Sequence, residues 1–362
     1  MTKYPFKKEE LEIQGWEETP WSKSALYNYP ISRRENVIRT LKDKDPVWLM
    51  TTVEQETLTP RVIPDNIARG FVFEKGEPYD VAKYGGKDMF GIDWVYVPMA
   101  GGSMVKPGAP TMEDVNDWKD IVKMPDIDSW DWAASAKRNN DELKASDKAV
   151  SMMLLNGCWF ERLISFMDFQ GAAVALIDED QRDALIELTH AWTDLYLKLV
   201  DKCIETYPLD IINIHDDWGS QMAPFFSMEV AKEVYLPEMK RFVDHVHSKG
   251  LICDLHSCGH IEDRAEIFVE AGFDSWTPMA MNNTVELYEK YGDRMTFGVV
   301  YDKPIDMKTA TDAEKIAAAK DYVKRFVHKG KTCTWSLYND ASLLSDPVFN
   351  RALYEESRIA LA

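Results

Sequence analysis

From Pro46 onward, short apolar segments alternate with longer segments of helical period, and no other feature of the 362 residues limits the fold so strongly. The apolar segments fall at 47–50, 94–99, 150–155, 211–215, 251–256, 273–277, 295–300 and 332–337, which makes eight candidate strands. Helix-period stretches separate most of them. The stretch 227–248 opens on Ser227, a good N-cap, and is followed by Gly250, a good C-terminal stop. Strand, helix and strand in series predict a parallel sheet. Eight such units, with no glycine-rich phosphate fingerprint after any strand, fit an α/β fold of the (β/α)8 TIM barrel type better than an open doubly wound sheet. Gly101-Gly102-Ser103 is the nearest approach to such a fingerprint, and it is weak. Residues 1–45, with a short helical pattern at 33–41, read as an N-terminal arm or cap, and 46–362 as the barrel. Long insertions after strands one and two, including the Trp- and Asp-rich 118–132, are expected to cap one barrel face.

Composition narrows the function. With 45% hydrophobic residues the chain can bury a large core. A formal charge of −19 repels nucleic acid and anionic membranes and disfavours a polyanionic substrate, so a small neutral or weakly charged one is expected. No apolar run approaches the roughly 20 residues that span a bilayer. The start, Met1-Thr2-Lys3-Tyr4-Pro5-Phe6, lacks the apolar core of a signal peptide, and the expected location is the cytoplasm. Five scattered cysteines, Cys158, Cys203, Cys253, Cys258 and Cys333, make no disulfide framework.

In a barrel of this kind the residues at the C-terminal ends of the strands surround the active site, and strand alternation selects those that point there. In 251–256, Leu251, Cys253 and Leu255 form the apolar set, leaving Ile252, Asp254, His256 and Cys258 on the opposite face. In 211–215, Ile212 and Ile214 are apolar, leaving Asn213, His215 and Asp217. A histidine and a cysteine two apart at a strand end can hold zinc, which favours thiolate and neutral imidazole. On spacing alone, a buried thiol beside a hydrogen-bonded core histidine is the commoner outcome. Alternation favours Asp217 over Asp216 for function, although an acidic turn is the plain alternative. His215, Asp217 and Glu54 are candidates for proton transfer or substrate orientation. Trp218, Gln221, Asn156, Trp159 and Tyr338 are candidates for the substrate pocket. Glu54 and Glu56 have solvated loop acids as their plain reading.

Several stretches resemble the uroporphyrinogen decarboxylase-like superfamily, and within it the corrinoid-dependent methyltransferases. Pro46-Val47-Trp48-Leu49-Met50 resembles the first strand of that family, and His256-Ser257-Cys258-Gly259 resembles the zinc-binding His-x-Cys of its methyltransferase branch. Asp216-Asp217-Trp218-Gly219-Ser220-Gln221, followed by Ser227-x-Glu229, resembles the fourth-strand loop and the helix after it. Asp88-Met89-Phe90-Gly91, 98–103 and Trp130-Asp131-Trp132 look more narrowly like the O-demethylase methyltransferases. Two departures matter. The decarboxylases follow the first strand with an arginine-rich motif, whereas this chain has Thr51-Thr52-Val53-Glu54-Gln55-Glu56, which would repel a porphyrinogen octacarboxylate. The family methyltransferases also supply a further cysteine near strand eight. Here Cys333 falls on the apolar side near the start of its strand, and Asp340 occupies the matching ligand position, so the third ligand stays open among Asp340, Cys333 and Glu56.

The resemblance implies a methyltransferase that moves a methyl group from a methoxylated aromatic to the cobalt of a separate corrinoid protein, assisted by zinc on His256 and Cys258, with Asp340 the first candidate for the third ligand. No cobalamin-binding pattern occurs in the chain, so the cobalamin would belong to the partner. The resemblance also raises a homodimer. The alternatives are transfer from methyl-cobalt to a thiol or folate, a repurposed decarboxylase, and a barrel that only binds a ligand.

Overall fold

The computed structural model describes residues 4–19, 23–303 and 305–362. The strands in the first half of the chain are β1 (Ile13–Glu18), β2 (Lys23–Tyr27), β3 (Gln55–Leu58), β4 (Gly86–Lys87), β5 (Asp93–Val97) and β6 (Gly102–Val105). They are followed by β7 (Ala149–Leu154), β8 (Ile211–His215), β9 (Ile252–His256), β10 (Ser275–Trp276), β11 (Thr296–Val299) and β12 (Cys333–Trp335). The chain divides into two compact units. One comprises Met1–Glu56, Asp147–Ala149 and Phe273–Ala362, and the other Thr57–Ser146 and Val150–Gly272.

In the first unit, β10, β11 and β12 are parallel neighbours, with Trp276 beside Phe297 and Phe297 beside Cys333. The segment 47–50 is buried as expected, yet it is not a regular strand. Asn36 is the reason: its carboxamide oxygen accepts from Val47 and Trp48 N–H, and its Nδ2 donates to the Trp48 carbonyl. One sheet-like bond remains, from Trp335 N–H to the Met50 carbonyl. The N-terminal residues expected to form an arm pack into this unit. β1 and β2 pair antiparallel, and Tyr27 stacks on Tyr354 of the helix Pro347–Leu361 with 4.3 Å between ring centroids. On the same helix the fully buried Arg358 donates to Glu10 at 2.6 Å and to the Val47 and Tyr4 carbonyls. A buried cation of this kind is tolerated only when its donors are met.

In the second unit, β7, β8 and β9 are parallel neighbours. One face of β8 and β9 carries Ile212, Ile214, Cys253 and Leu255, all buried. Met239, Phe242, Val243 and Val246 are fully buried on the amphipathic helix Leu236–Ser248, which lies between β8 and β9 in the chain. Each such side chain contributes about 1.5–3 kcal/mol on burial. The expected strand at 94–99 is corrected. Residues 93–97 form β5 of a separate antiparallel sheet, between β4 and β6. Gly101, with φ of 65°, makes the turn that sends the chain back as β6, so Gly101-Gly102 serves a hairpin and not a phosphate loop. The segment 118–132 lies along the long helix Arg182–Thr206: Trp132 is buried against Tyr207, and Lys202 pairs with Asp128 at 2.8 Å. The alternation of parallel strand and helix from β7 to the C-terminus is that of a (β/α)8 barrel.

Candidate functional site: two histidines and a carboxylate at adjacent strand ends

β8 and β9 run in a register that sets Asn213 beside Asp254 and His215 beside His256. Because side chains alternate along a strand, all four share the face opposite the isoleucines. Asn213 Nδ2 donates to Asp254 at 2.5 Å, one step below the histidines. The two imidazole rings stack with centroids 4.6 Å apart. Asp217, just past β8, brings its Oδ1 to 3.8 Å from Nε2 of each histidine. One ligand atom from each of His215, Asp217 and His256 lies within 4.8 Å of the others. Cys258 Sγ stands 3.2 Å from His256 Nε2, and the Cys258 N–H donates to Asp217 at 2.7 Å.

Glycines allow these loops to meet. A Cβ on Gly259, whose φ is +107°, would lie 2.4 Å from the Gly219 backbone. One on Gly157, whose φ is +39°, would lie 2.6 Å from the His215 carbonyl oxygen. Only glycine permits such approaches.

Glu161 and Arg69 complete the site, and sequence reasoning missed both. His215 Nδ1 is hydrogen-bonded to Glu161 Oε2, and Glu161 Oε1 accepts from Arg69 Nη1 at 3.0 Å. Glu161 is in the first turn of the helix Phe160–Ala175, whose N-cap residue Trp159 provides no side-chain cap. The missing cap comes from the residue just past β8. Asp216 accepts from Phe160 N–H at 3.1 Å, Glu161 N–H at 2.9 Å and Trp218 Nε1–H at 2.5 Å. Asp216 is thus the buried acid that positions Glu161. Glu161 lies two residues after Trp159, where a helix N-terminus was the available signal.

Charge within the site is polarised. Burial opposes a charged His215, but the Glu161 and Asp217 carboxylates outweigh it and raise its pKa. Burial, then the neighbouring His215, hold His256 down to about 4. Glu161 stays ionised because His215 and Arg69 overcome the effect of burial. Burial, with Glu161 nearby, pushes Asp216 up to about 8.

A divalent cation fits this donor set. The carboxylate on His215 Nδ1 fixes the tautomer that turns Nε2 toward Asp217 and His256, the outer-shell arrangement typical of metal-binding histidines. Two imidazole nitrogens and a carboxylate oxygen, with a thiol next to them, match zinc chemistry.

Of the other candidates, Asn156 alone touches the site, through Arg69. Trp218 is fully buried among Phe226, Tyr235 and Phe268, and Trp159 is fully buried against Phe242, so both are core residues and not stacking surfaces for a substrate. Gln221 is exposed. Asn156 is buried and accepts from Arg69 Nη1 at 2.7 Å. In the first unit, Glu54 is buried and accepts from Trp48 Nε1 and the Thr51 N–H, a structural use of its carboxylate. Asp340 is exposed and accepts from the Ser342 N–H at the start of the helix Ala341–Ser345. Cys333 is buried, its Sγ donating to the Phe326 carbonyl. Glu56 faces Lys148 at 3.6 Å, and Tyr338 is half-buried.

The fold and this cluster define an α/β barrel protein with a two-histidine, one-carboxylate site at the ends of adjacent strands. No protein-family model matches the chain, and no curated protein matches it. Among solved structures, a methyltransferase from Methanosarcina mazei aligns over 89% of this chain and 97% of its own, with a TM-score of 0.58 and 13% identity. A xylose isomerase-like TIM barrel protein from Mycobacterium smegmatis, in complex with magnesium, aligns over 61% of this chain and 76% of its own, with a TM-score of 0.31 and 12% identity. The first likeness establishes the (β/α)8 fold class and, at its identity, the fold alone. No helix among the described residues is long and apolar enough to cross a membrane.

Proposed function

We propose that the protein is a methyltransferase that transfers a methyl group from a methoxylated aromatic to the cobalt of a separate corrinoid protein, with zinc held by His215, Asp217 and His256 and with Cys258 beside them. One observation carries this reading: the two imidazoles and the carboxylate converge within 4.8 Å, next to a thiol, at the ends of adjacent parallel strands. The fold shared with the methyltransferase from Methanosarcina mazei supports it, as does the resemblance of His256-Ser257-Cys258-Gly259 to the zinc motif of the corrinoid-dependent branch. Zinc bound there would supply a Lewis acid to the ether oxygen, which an aryl methyl ether needs because its leaving group is poor.

The protein's own residues prepare that chemistry. Glu161 orients the His215 imidazole, Asp216 holds the helix turn that carries Glu161, and Asp217 anchors the Cys258 backbone. The cluster is partly open: Asp217 and His256 side chains are each about a quarter exposed, as a reacting substrate requires. The test combines the zinc-loaded protein with a Co(I) corrinoid protein and a panel of methoxybenzenes and follows the Co(I) absorbance. Loss of Co(I) with a particular ether, abolished in His256→Ala, is the expected result. No change with any ether, or methyl transfer that proceeds without zinc and with His256→Ala, overturns the reading.

A further inference from the structure

Arg69 is held more firmly than a bridge to Glu161 requires. It closes the helix Pro64–Ala68, its carbonyl accepts from Ser103 N–H of β6 at 3.1 Å, and its guanidinium lies over the Trp94 indole with 5.1 Å to the ring centroid. Trp94 is itself fixed, donating to Asp88 at 3.1 Å. β5, through Trp94, and β6, through Ser103, therefore hold this residue in place. Only Nη1 is used, for Asn156 and Glu161. Nε and Nη2 meet no acceptor among the described residues, and the side chain is 17% exposed. Arg162, in the same unit, spends both terminal nitrogens on Asp65, Asp88 and Tyr196.

The unused edge is the one that matters chemically. A guanidinium presents Nε–H and Nη2–H as a planar fork matched to a carboxylate, and stacking on an indole leaves that edge free. A second donor is also unmet nearby. Arg69 can only donate, so the Asn156 carboxamide must turn its oxygen toward Arg69, and its Nδ2 is left buried without a partner. Arg69 is close enough to the histidine cluster for its charge to act on His256 and Cys258.

We infer that Arg69 binds a carboxylate of the substrate through its Nε and Nη2 edge, so that the methyl donors are methoxylated aromatic acids in preference to neutral ethers. The ether half of this statement rests on the methyltransferase reading; the recognition of a carboxylate does not. A single carboxylate also suits a chain of charge −19, which the polyanion of a porphyrinogen does not.

The test compares 4-methoxybenzoate with its neutral counterpart 4-methoxytoluene by calorimetry on the zinc-loaded protein. The acid is expected to bind about tenfold tighter, as charge-assisted bonds imply. Arg69→Met should bring the two ligands within about twofold of each other, with Arg69→Lys between; because Arg69 also bridges Glu161, the ratio of the two affinities is the readout and not either affinity alone. Equal binding of the pair by the wild-type protein overturns the inference whatever the variants do. It is equally overturned if the preference survives Arg69→Met, or if that variant weakens both ligands alike, as a purely structural arginine would. Preferential binding of the acid without any loss of Co(I) would leave the recognition of a carboxylate by Arg69 standing and remove the methyltransferase reading, and with it the ether half.

Discussion

The imidazole rings of His215 and His256 lie face to face, 4.6 Å between centroids and 8° from parallel, because β8 and β9 place them at the same level of a parallel pair. Two imidazolium ions could not stack this way, and the pair is accordingly split, with Glu161 favouring the charge on His215 and His256 kept neutral. A cation held by His215, Asp217 and His256 would take the place of that proton.

The protein is therefore expected to bind zinc at one equivalent per chain, measurable by competition with a chromophoric chelator. Glu161→Gln should weaken binding by about 10–100-fold, the usual effect of losing an outer-shell carboxylate, and His215→Ala or His256→Ala by more. Unchanged affinity in His215→Ala would exclude it as a ligand.

Asp216→Ala leaves three donors, Phe160 N–H, Glu161 N–H and Trp218 Nε1–H, without their acceptor. A loss of about 1–3 kcal/mol is expected in urea denaturation. Zinc affinity should fall as well, since the turn that carries Glu161 loses its anchor.

Gly259→Ala places a Cβ 2.4 Å from the Gly219 backbone at a φ of +107°. The loops after β8 and β9 must separate, so a loss of zinc binding together with a stability loss of about 1–3 kcal/mol is expected from titration and thermal melting. Gly250→Ala, where a Cβ would meet open space, serves as the control with φ of +81°.

Arg162 is fully buried between Asp65 and Asp88, with the Tyr196 hydroxyl on the same guanidinium. Arg162→Met would strand two buried carboxylates. A destabilisation of about 3–5 kcal/mol, read as a shift in the urea midpoint, is the expected outcome.

Lys44 gives a dependence on pH. Burial lowers its pKa to about 8, although its ammonium donates to Thr296 Oγ1 at 2.6 Å and to the Leu41 carbonyl at 3.0 Å. Unfolding raises that pKa, so the unfolded chain binds more protons between about pH 8 and 10.4, and stability rises with pH in that window. Relative to Lys44→Met, the wild-type unfolding free energy should increase by up to about 3 kcal/mol across it, measured by denaturation at a series of pH values. A flat difference would mean that Lys44 is not desolvated.

The histidines were legible because a strand forces alternate residues to one face: Ile212 and Ile214 on one side of β8 require Asn213 and His215 on the other, and β9 repeats the pattern. The same rule misplaced 94–99, because alternation does not distinguish a barrel strand from the antiparallel β5, and the turn at Gly101 decides which forms. Trp218 and Trp159 read as pocket walls because they follow strands, yet a large apolar ring is buried wherever the core has room.

The sequence by itself determined the parallel strand and helix order from β7 onward and the face on which His215, Asp217, His256 and Cys258 would lie, since both follow from local periodicity. Only the tertiary structure decided that Glu161 orients His215, that Asp216 caps a helix from another segment, and that Arg69 reaches the cluster. Those contacts join residues 54, 55 and 92 positions apart, and no local spacing encodes a partner at such a distance.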